Sequence, residues 1–451
     1  MRIIIAGIGK VGITLAGQLS AEGHDITLID QDSLLLEEHA TQFDALGVCG
    51  NCASRDILLT ADVEHANLVI AVTDADEINL LCCMTAHGIN PQIHTIARIR
   101  RPEYTEQIMT MPEVFPLSMT VNPEKEAALE IERLLKYPGF LRRDTFAKGL
   151  VEIVELQISE DSKLCNVSLS ELSNIIKCRV LVCAVLRAGS AVAPSGNFVL
   201  KRGDRIFVTA PTDTLALLLK NLGIITRRVR NVMICGGGRV SYYLANLLEE
   251  SNISVQLIDR DRERCRELAT QLPNTSVIHG DCSNQLFLDQ QGVAQADALL
   301  SLTGMDETNM IISLHGNARG VPQTITKLSR GSSSFADTLP LGSIICPKEL
   351  SGNAIVRYVR AMQNQTGAAV SIHTIADGQV EAVEFLVDSN TKNCGVPLKK
   401  LKLKANVLLA SITHGTQTQI PGGDSVFTEG DTVVVVTSGR GILHNINDIF
   451  A

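Results

Sequence analysis

The 451-residue chain has no tryptophan, and aromatic residues make up only 4% of it. Its cores must therefore be filled mainly by Val, Ile, Leu and Ala, a bias that suits strands buried on both faces between helices. Cations are also in short supply: 40 Lys and Arg stand against 49 Asp and Glu, a formal net charge of −9. That balance argues against nucleic acid as the principal partner, because phosphate binding draws on a surplus of Lys and Arg. No apolar run approaches the roughly 20 residues needed to span a bilayer, so the chain reads as soluble. Metal-ligand spacing is lacking too. The ten histidines include no metal-binding pair and are expected on loops or at the surface. Cys49-Gly-Asn-Cys52 has redox or zinc spacing, but no second pair stands at a matching distance; it reads as a loop after a strand, and no metal site is expected.

What is present can fold. Hydrophobic residues form 45% of the chain and charged residues 20%, enough for sizeable cores and too apolar for a disordered chain. At about 150 residues per domain, the length suggests about three domains. Most of the 12 cysteines lie in apolar runs; Cys178, Cys183 and Cys235 sit among Val, Leu and Ile as small hydrophobes. A reduced, cytosolic setting fits this usage. The start, Met1 to Ile5, has the charged and apolar character of a signal peptide, but Gly7, Gly9 and Gly12 interrupt it.

The sequence is written twice. Ala6-Gly7-Ile8-Gly9-Lys10-Val11-Gly12 is echoed by Cys235-Gly236-Gly237-Gly238-Arg239-Val240-Ser241, and Leu28-Ile29-Asp30 by Leu257-Ile258-Asp259, both at an offset of 229. Gly50 pairs with Gly280, and the run from Thr73 to Asn79 with that from Thr303 to Asn309, at 230. Pro194 pairs with Pro421, and Gly203-Asp204 with Gly430-Asp431, at 227. Preserved order and a slowly drifting offset imply a tandem duplication of a unit near half the chain.

Each repeat divides again. Its first part opens with a strand (Ile3 to Ala6, Val232 to Cys235), then a Gly turn and a helix. A second strand (Asp25 to Ile29, Ser254 to Ile258) ends in an acid, and a third (Leu68 to Val72, Ala298 to Leu302) precedes another helix. Strands alternating with helices in this way predict a parallel, doubly wound sheet. Helices starting at Pro123 and Pro347 follow. The second part has short strands at Val151 to Ile158, Val180 to Leu186 and Arg205 to Val208, matched by Ala382 to Val387, Val407 to Thr413 and Thr432 to Val436. Turns at Arg187-Ala188-Gly189 and at Gly203-Asp204 separate them, which fits a small α+β module with at least one hairpin. The expected fold class is α/β: two Rossmann-like doubly wound parallel-sheet domains, each followed by a small α+β C-terminal module. The expected boundaries are 1–120, 121–141 (a crossover helix), 142–227, 228–346, 347–369 (a crossover helix) and 370–451. The two helices are expected to cross between paired domains; packing within their own domain is the alternative.

In the first repeat Gly7-x-Gly9-x-x-Gly12 follows a strand and opens a helix. Gly7 permits the tight turn, Gly9 lets backbone approach a pyrophosphate and Gly12 allows close helix–strand packing. The helix N-terminus offers N–H groups and a dipole to phosphate oxygens. Asp30 ends the next strand, where a carboxylate accepts from ribose hydroxyls and repels a 2′-phosphate, favouring NAD or an adenine nucleotide over NADP. In the second repeat Gly236, Gly238 and Asp259 keep these roles, while Ser241 replaces the third glycine. Thr73-Asp74 lies beside the expected crevice, able to bond a ligand or to cap the following helix.

With GIGKVG at 7–12, Asp30, Val48-Cys49-Gly50, Ile278-His279-Gly280-Asp281, TDADEIN at 73–79 and TGMDETN at 303–309, essentially the whole chain resembles the TrkA-like family of Trk potassium uptake regulatory subunits. These carry two regulator-of-potassium-conductance (RCK, or KTN) units. The resemblance implies a cytosolic protein that binds NAD(H), with ATP and ADP as competing nucleotides. It implies self-association into a dimer or tetramer that forms a ring, docked at the cytoplasmic face of the inner membrane on a potassium-translocating subunit of the Trk H/G type. By the same resemblance, nucleotide contacts fall on Gly7, Ile8, Gly9, Lys10, Val11, Gly12, Asp30, Thr73, Asp74 and Arg98. In the second repeat they fall on Gly236, Gly237, Gly238, Arg239, Val240, Asp259 and Thr303. Lys327 replaces Arg98 there and Gly304 replaces Asp74, departures that bear on affinity and selectivity.

The Gly fingerprint alone also fits an NAD-dependent oxidoreductase, and a non-catalytic nucleotide-binding scaffold is a third reading. A dehydrogenase adds a substrate domain with a general acid or base near the nicotinamide. Here the added sequence is a small module, repeated, without a nucleophile–base motif. No catalytic residue is assigned, and a nucleotide-responsive regulator of potassium transport is the expected function.

Overall fold

The computed structural model describes residues 1–111, 114–136, 140–160, 162–222, 229–329, 339–362, 369–376, 379–404, 406–438, 443 and 445–451. The expected boundary at 227/228 lies outside the described residues. The chain divides into two compact units, Met1–Leu129 with Cys346–Tyr358, and Glu130–Ile345 with Val359–Ala451.

The first unit is built on one six-stranded sheet: β1 (Arg2–Ala6), β2 (Asp25–Asp30), β3 (Leu46–Cys49), β4 (Leu68–Ala71), β5 (His94–Arg98) and β6 (Met119–Val121). Their order is β3-β2-β1-β4-β5-β6, and every pairing is parallel. This is the doubly wound order, whose ligand crevice opens where the strand sequence reverses, at the carboxyl ends of β1 and β4. β4 is buried along its whole length, as a strand covered by helices on both faces requires. The core around it uses Ile4, Ile29, Val69, Cys82, Cys83, Ala86 and their neighbours, with no fully buried aromatic. The start of helix Pro347–Met362 belongs to this unit: Ser351 donates to Glu126 at 2.7 Å, and Tyr358 lies 3.1 Å from His94.

The second unit contains the second parallel sheet and both small modules. Its parallel strands follow five antiparallel ones: β7 (Arg142–Phe146), β8 (Val151–Gln157), β9 (Leu181–Arg187), β10 (Ser190–Val192) and β11 (Arg205–Pro211), in the order β10-β9-β11-β8-β7. Ala188 and Gly189, both at positive φ, make the two-residue hairpin between β9 and β10. Then come β12 (Asn231–Cys235), β13 (Ser254–Asp259), β14 (Thr275–His279), β15 (Ala298–Ser301), β16 (Gln323–Lys327) and β17 (Ser343–Ile345), ordered β14-β13-β12-β15-β16-β17. The last sheet has β18 (Ala369–Ile375), β19 (Val380–Leu386), β20 (Val407–His414), β21 (Gln417–Gln419) and β22 (Thr432–Ser438), ordered β18-β19-β22-β20-β21. Read from the opposite edge, this repeats the connectivity of β7 to β11. The fold class is thus the tandem pair of parallel-sheet domains and small modules expected from the sequence.

The two small modules share one core, with Phe146, Ile153, Ala184 and Phe207 packed in the same cluster as Ile375, Ala382, Ala410 and Val436. Gln379 bridges them further, accepting from the Ala191 amide at 2.9 Å and donating to the Gly189 carbonyl at 2.8 Å. Phenylalanine returns here: Phe140, Phe146, Phe207, Phe385 and Phe427 are all fully buried in the small modules. The aliphatic expectation holds in both kinds of domain, since Val, Ile, Leu and Ala still dominate the module cores, but the fully buried phenylalanines are confined to the modules. The carboxyl half of helix Pro123–Lys136 lies in this unit too, with Ile131, Leu134 and Leu135 buried and Gln323 donating to the Leu134 carbonyl at 3.1 Å.

His24 is buried but lies on the loop before β2, within the loop or surface placement expected of the histidines. Two others depart from that placement: His315 is buried in helix Asp306–Ala318 and His373 in β18. Asp289 lies 3.0 Å from His315, and Asp144 lies 2.9 Å from His373. A buried imidazole needs a polar partner, and an acid distant in sequence supplies it without any local signal.

Candidate functional site

In the first repeat the chain leaves β1 through Gly7, at φ +97°, a backbone state that a side chain strains. A Cβ at Gly7 would come within 2.8 Å of the Thr73 amide nitrogen, so the turn after β1 lies directly against the turn after β4. A Cβ at Gly12 would stand 2.0 Å from the Gly7 carbonyl oxygen, which is why the helix can start so close to the strand. Gly9 is different. It is exposed, it precedes helix Lys10–Ala21, and a Cβ there would meet nothing within 4 Å. Its openness leaves the N-terminal amides of that helix accessible to an anion.

Asp30 ends β2 and faces this turn. One carboxylate oxygen accepts from the Ile8 amide at 2.7 Å, the other from the Asp32 amide at 3.0 Å. Each oxygen has a second lone pair, so the anchored carboxylate keeps acceptor capacity for a hydroxyl. Ile8 and Val11 are buried, and their contribution to a ligand is limited to backbone, whereas Lys10 is exposed.

The other wall is the loop after β4. Arg98, at the end of β5 and largely buried, donates to the Thr73 carbonyl at 2.6 Å and to the Asp74 carboxylate at 2.8 Å. Asp74 itself projects into solvent, and Arg100 donates to its carbonyl. Helix Asp76–Ile89 is preceded by Ala75, with no side-chain cap, so capping is not the role of Thr73 or Asp74. Thr73 is held instead by Asn79, fully buried, whose amide oxygen accepts from the Thr73 amide (2.8 Å) and hydroxyl (2.7 Å). The same side chain donates to the carbonyls of Thr73 and Arg98 at 3.1 and 2.9 Å. One asparagine thus fixes the carboxyl ends of β4 and β5 together. The sequence carried a signal for it that went unused, since Asn79 and Asn309 recur at the offset of the repeat.

The second repeat rebuilds this wall. Asn309 accepts from the Thr303 amide and hydroxyl at 2.9 and 2.7 Å and donates to the carbonyls of Thr303 and Lys327. Gly236 has φ +103° and lies as close to Thr303 as Gly7 does to Thr73. Asp259 accepts from the Gly237 and Asp261 amides at 2.5 and 2.7 Å. Gly238 and Arg239 are exposed at the helix start, and Val240 is buried. Ser241, wholly buried where the first repeat has Gly12, donates its hydroxyl to the Gly236 carbonyl at 2.5 Å. The second turn has room for the Ser241 Cβ, and the hydroxyl adds a hydrogen bond that Gly12 cannot make. Arg264, whose first-repeat counterpart is Leu35, donates from Nε to the Gly237 carbonyl at 2.8 Å.

The structure thus gathers Gly7, Ile8, Gly9, Lys10, Val11, Gly12, Asp30, Thr73, Asp74 and Arg98 around one crevice, and Gly236 to Val240, Asp259 and Thr303 around another, with Val11 and Val240 turned into the core. His94 stands apart from these walls, beside Tyr358, whereas His279 is the strand neighbour of Asp259 and lies 3.1 Å from the Arg260 carbonyl. Among the described residues no group of three or more His, Cys, Asp or Glu is arranged to hold a metal ion, and no helix is long and apolar enough to cross a membrane.

The TrkA-N domain family matches residues 3–114 and 232–337, the two parallel-sheet segments, and the TrkA-C domain family matches 153–223 and 382–446. Over 459 residues the chain is 29% identical to the Trk system potassium uptake protein TrkA of Vibrio alginolyticus, covering 100% of this chain and 98% of that one. In fold it is similar to the GsuK RCK domain, with a TM-score of 0.61 at 16% identity over 97% of this chain and 92% of that chain. The GsuK channel bound to NAD aligns with a TM-score of 0.59 at 17% identity, over 97% of this chain and 77% of that chain. The chain is 31% identical over 452 residues to the Trk system potassium uptake protein TrkA homolog of Archaeoglobus fulgidus, with 100% of both covered. Full-length identity at that level, with both domain types matched twice in the same order, means that the chain belongs to the TrkA family of Trk system potassium uptake proteins.

Proposed function

We propose that this chain is the nucleotide-sensing regulatory subunit of a potassium uptake system, binding NAD(H), ATP or ADP and acting on a membrane-embedded potassium-translocating subunit from the cytoplasmic side. The observation that carries this reading is the first crevice. An open glycine at a helix N-terminus faces a carboxylate fastened to the same turn, which suits a phosphate and a ribose held side by side. Lys10 meets phosphate charge, Asp30 the ribose hydroxyls, and the Thr73–Asp74–Arg98 wall the far end of the ligand. The rest of the chain offers modules that pair with each other rather than a substrate domain, which favours regulation over catalysis.

A regulator of this kind works by differential affinity. Chains associate into a ring of two or four, a nucleotide that prefers one ring geometry shifts the population toward it, and that shift reaches the membrane partner. Two nucleotides competing for one crevice then oppose each other when they prefer different geometries. The test is a calorimetric panel of NAD, NADH, ATP and ADP on the purified chain, with its oligomer mass, followed by potassium flux with the membrane subunit present. Binding together with nucleotide-dependent flux is expected. Absence of binding to all four, or turnover of NADH without a membrane partner, would overturn the proposal.

A further inference from the structure

The two crevices share a backbone plan but not an electrostatic one. From Asp30 to Glu38 the first repeat carries four acids and no base; from Asp259 to Glu267 the second carries four acids and four arginines. The added cations are Arg260, Arg262, Arg264 and Arg266, standing where the first repeat has Gln31, Ser33, Leu35 and Glu37. Asp74 is also replaced, by Gly304, while Lys10 and Arg98 become Arg239 and Lys327. In the opposite direction, Asp281 takes the place of Asn51, its carboxyl held below the ordinary range mainly by hydrogen bonds from the Ser283 backbone and side chain, with Arg260 adding a smaller pull.

Placement matters as much as number. Arg266 and Arg264 pair along their own helix, with Glu263 at 2.6 Å and Glu267 at 2.9 Å. Arg264 in addition rests its guanidinium on the glycine turn through the Gly237 carbonyl. A planar cation fixed against the phosphate turn matches phosphate oxygens, with further N–H donors in the same fork. At the equivalent point the first repeat has a leucine side chain, which adds no charge.

We propose that the second crevice selects by ligand charge, taking a nucleoside polyphosphate in preference to a dinucleotide, while the first crevice is the dinucleotide site. This deepens the nucleotide-sensing reading and rests on it. NAD offers a pyrophosphate whose charge is partly offset by the nicotinamide cation, whereas a triphosphate brings further anionic oxygens for Arg264, Arg260 and Arg239. One chain then reads two chemically different nucleotides at once, through two sites of unlike local charge.

The experiment isolates each crevice in the full chain with Gly9→Asp and Gly238→Asp, both at positions where a Cβ has open space. Binding of ATP and NAD to each variant is measured by calorimetry at two salt concentrations. The Gly9→Asp chain is expected to prefer ATP over NAD by about tenfold or more, with the ATP affinity falling steeply as salt rises. In that background Arg264→Leu removes most of the preference. Should Arg264→Leu fail to fold, Arg260→Glu at an exposed position lowers ATP affinity in the same direction. Equal affinities in the Gly9→Asp chain, or a preference unchanged by both arginine substitutions, would overturn the proposal. A Gly9→Asp chain that binds no nucleotide would overturn it while leaving the first site standing; wild-type protein that binds none removes the functional reading as well.

Discussion

Asp144 and His373, 229 positions apart in the chain, meet at 2.9 Å in the shared core of the two small modules. Burial alone would raise the Asp144 carboxyl, but Arg142, together with the His373 bond, overrides burial and holds it at about 2. A carboxylate depressed in the folded state adds stability that is present above its unfolded value near 4 and lost as pH falls toward 2. Asp144→Asn leaves Arg142 without its nearest anion and is expected to cost about 3 kcal/mol at neutral pH. Thermal melts of both proteins from pH 7 to pH 2 check this, because the difference between them should close at the acid end.

Glu130 titrates in the opposite sense. Burial in helix Pro123–Lys136 pushes its carboxyl up to about 7, even though Arg133 opposes the shift. The folded state therefore holds a proton that the unfolded chain releases above about pH 4.5, and stability falls as pH rises from there to about 7. Glu130→Gln removes that cost. It should stabilise the protein by on the order of 3 kcal/mol at pH 8 and by little at pH 4, read from denaturation midpoints at the two pH values.

Two glycines of one turn should respond differently. Gly9→Asp places a carboxylate in open space at the helix N-terminus, where it competes with phosphate and leaves packing intact. Nucleotide affinity at the first crevice is expected to fall beyond detection while the melting temperature stays within a few degrees. Gly7→Ala, by contrast, forces a Cβ to within 2.8 Å of the Thr73 amide at positive φ, and should destabilise the chain by more than about 2 kcal/mol. Calorimetric titration and melting of the two variants separate binding from folding.

Ser241 and Gly12 make a reciprocal pair. Ser241→Gly loses a buried hydrogen bond to the Gly236 carbonyl and some helix propensity, costing about 1 to 2 kcal/mol. Gly12→Ser is not the mirror of this change, because a Cβ there meets the Gly7 carbonyl oxygen at 2.0 Å before any helix adjustment. It should cost more than Ser241→Gly, and denaturant midpoints for both decide the order.

The parallel sheets were legible because their signals are local. A buried strand is an apolar run, its glycine turn follows at once, and the acid ends the next strand. The small modules were only half legible. β7 reads Arg-Arg-Asp-Thr-Phe and resembles a surface loop, yet Arg143 and Asp144 are buried by pairing with Glu152 and His373, partners that only the fold supplies. The three-residue strands β6, β10, β17 and β21 are too short to show a period. The crevice followed the same division. Gly7, Gly9, Gly12 and Asp30 announce themselves by spacing, while Asn79 works through backbone groups of β4 and β5 and leaves no pattern within one repeat.

The shared core of the small modules also bears on how the repeats diverge. When two such modules sit on separate identical chains, their pairing depends on protein concentration, and every substitution appears on both sides. Joined through one polypeptide, they meet at an effective concentration set by the linking segments, so dilution should not part them. Covalent linkage also makes the two halves separately heritable. A serine can settle in one glycine turn and an arginine beside it, with the other turn left untouched, so the two repeats can diverge in ways that two identical chains cannot.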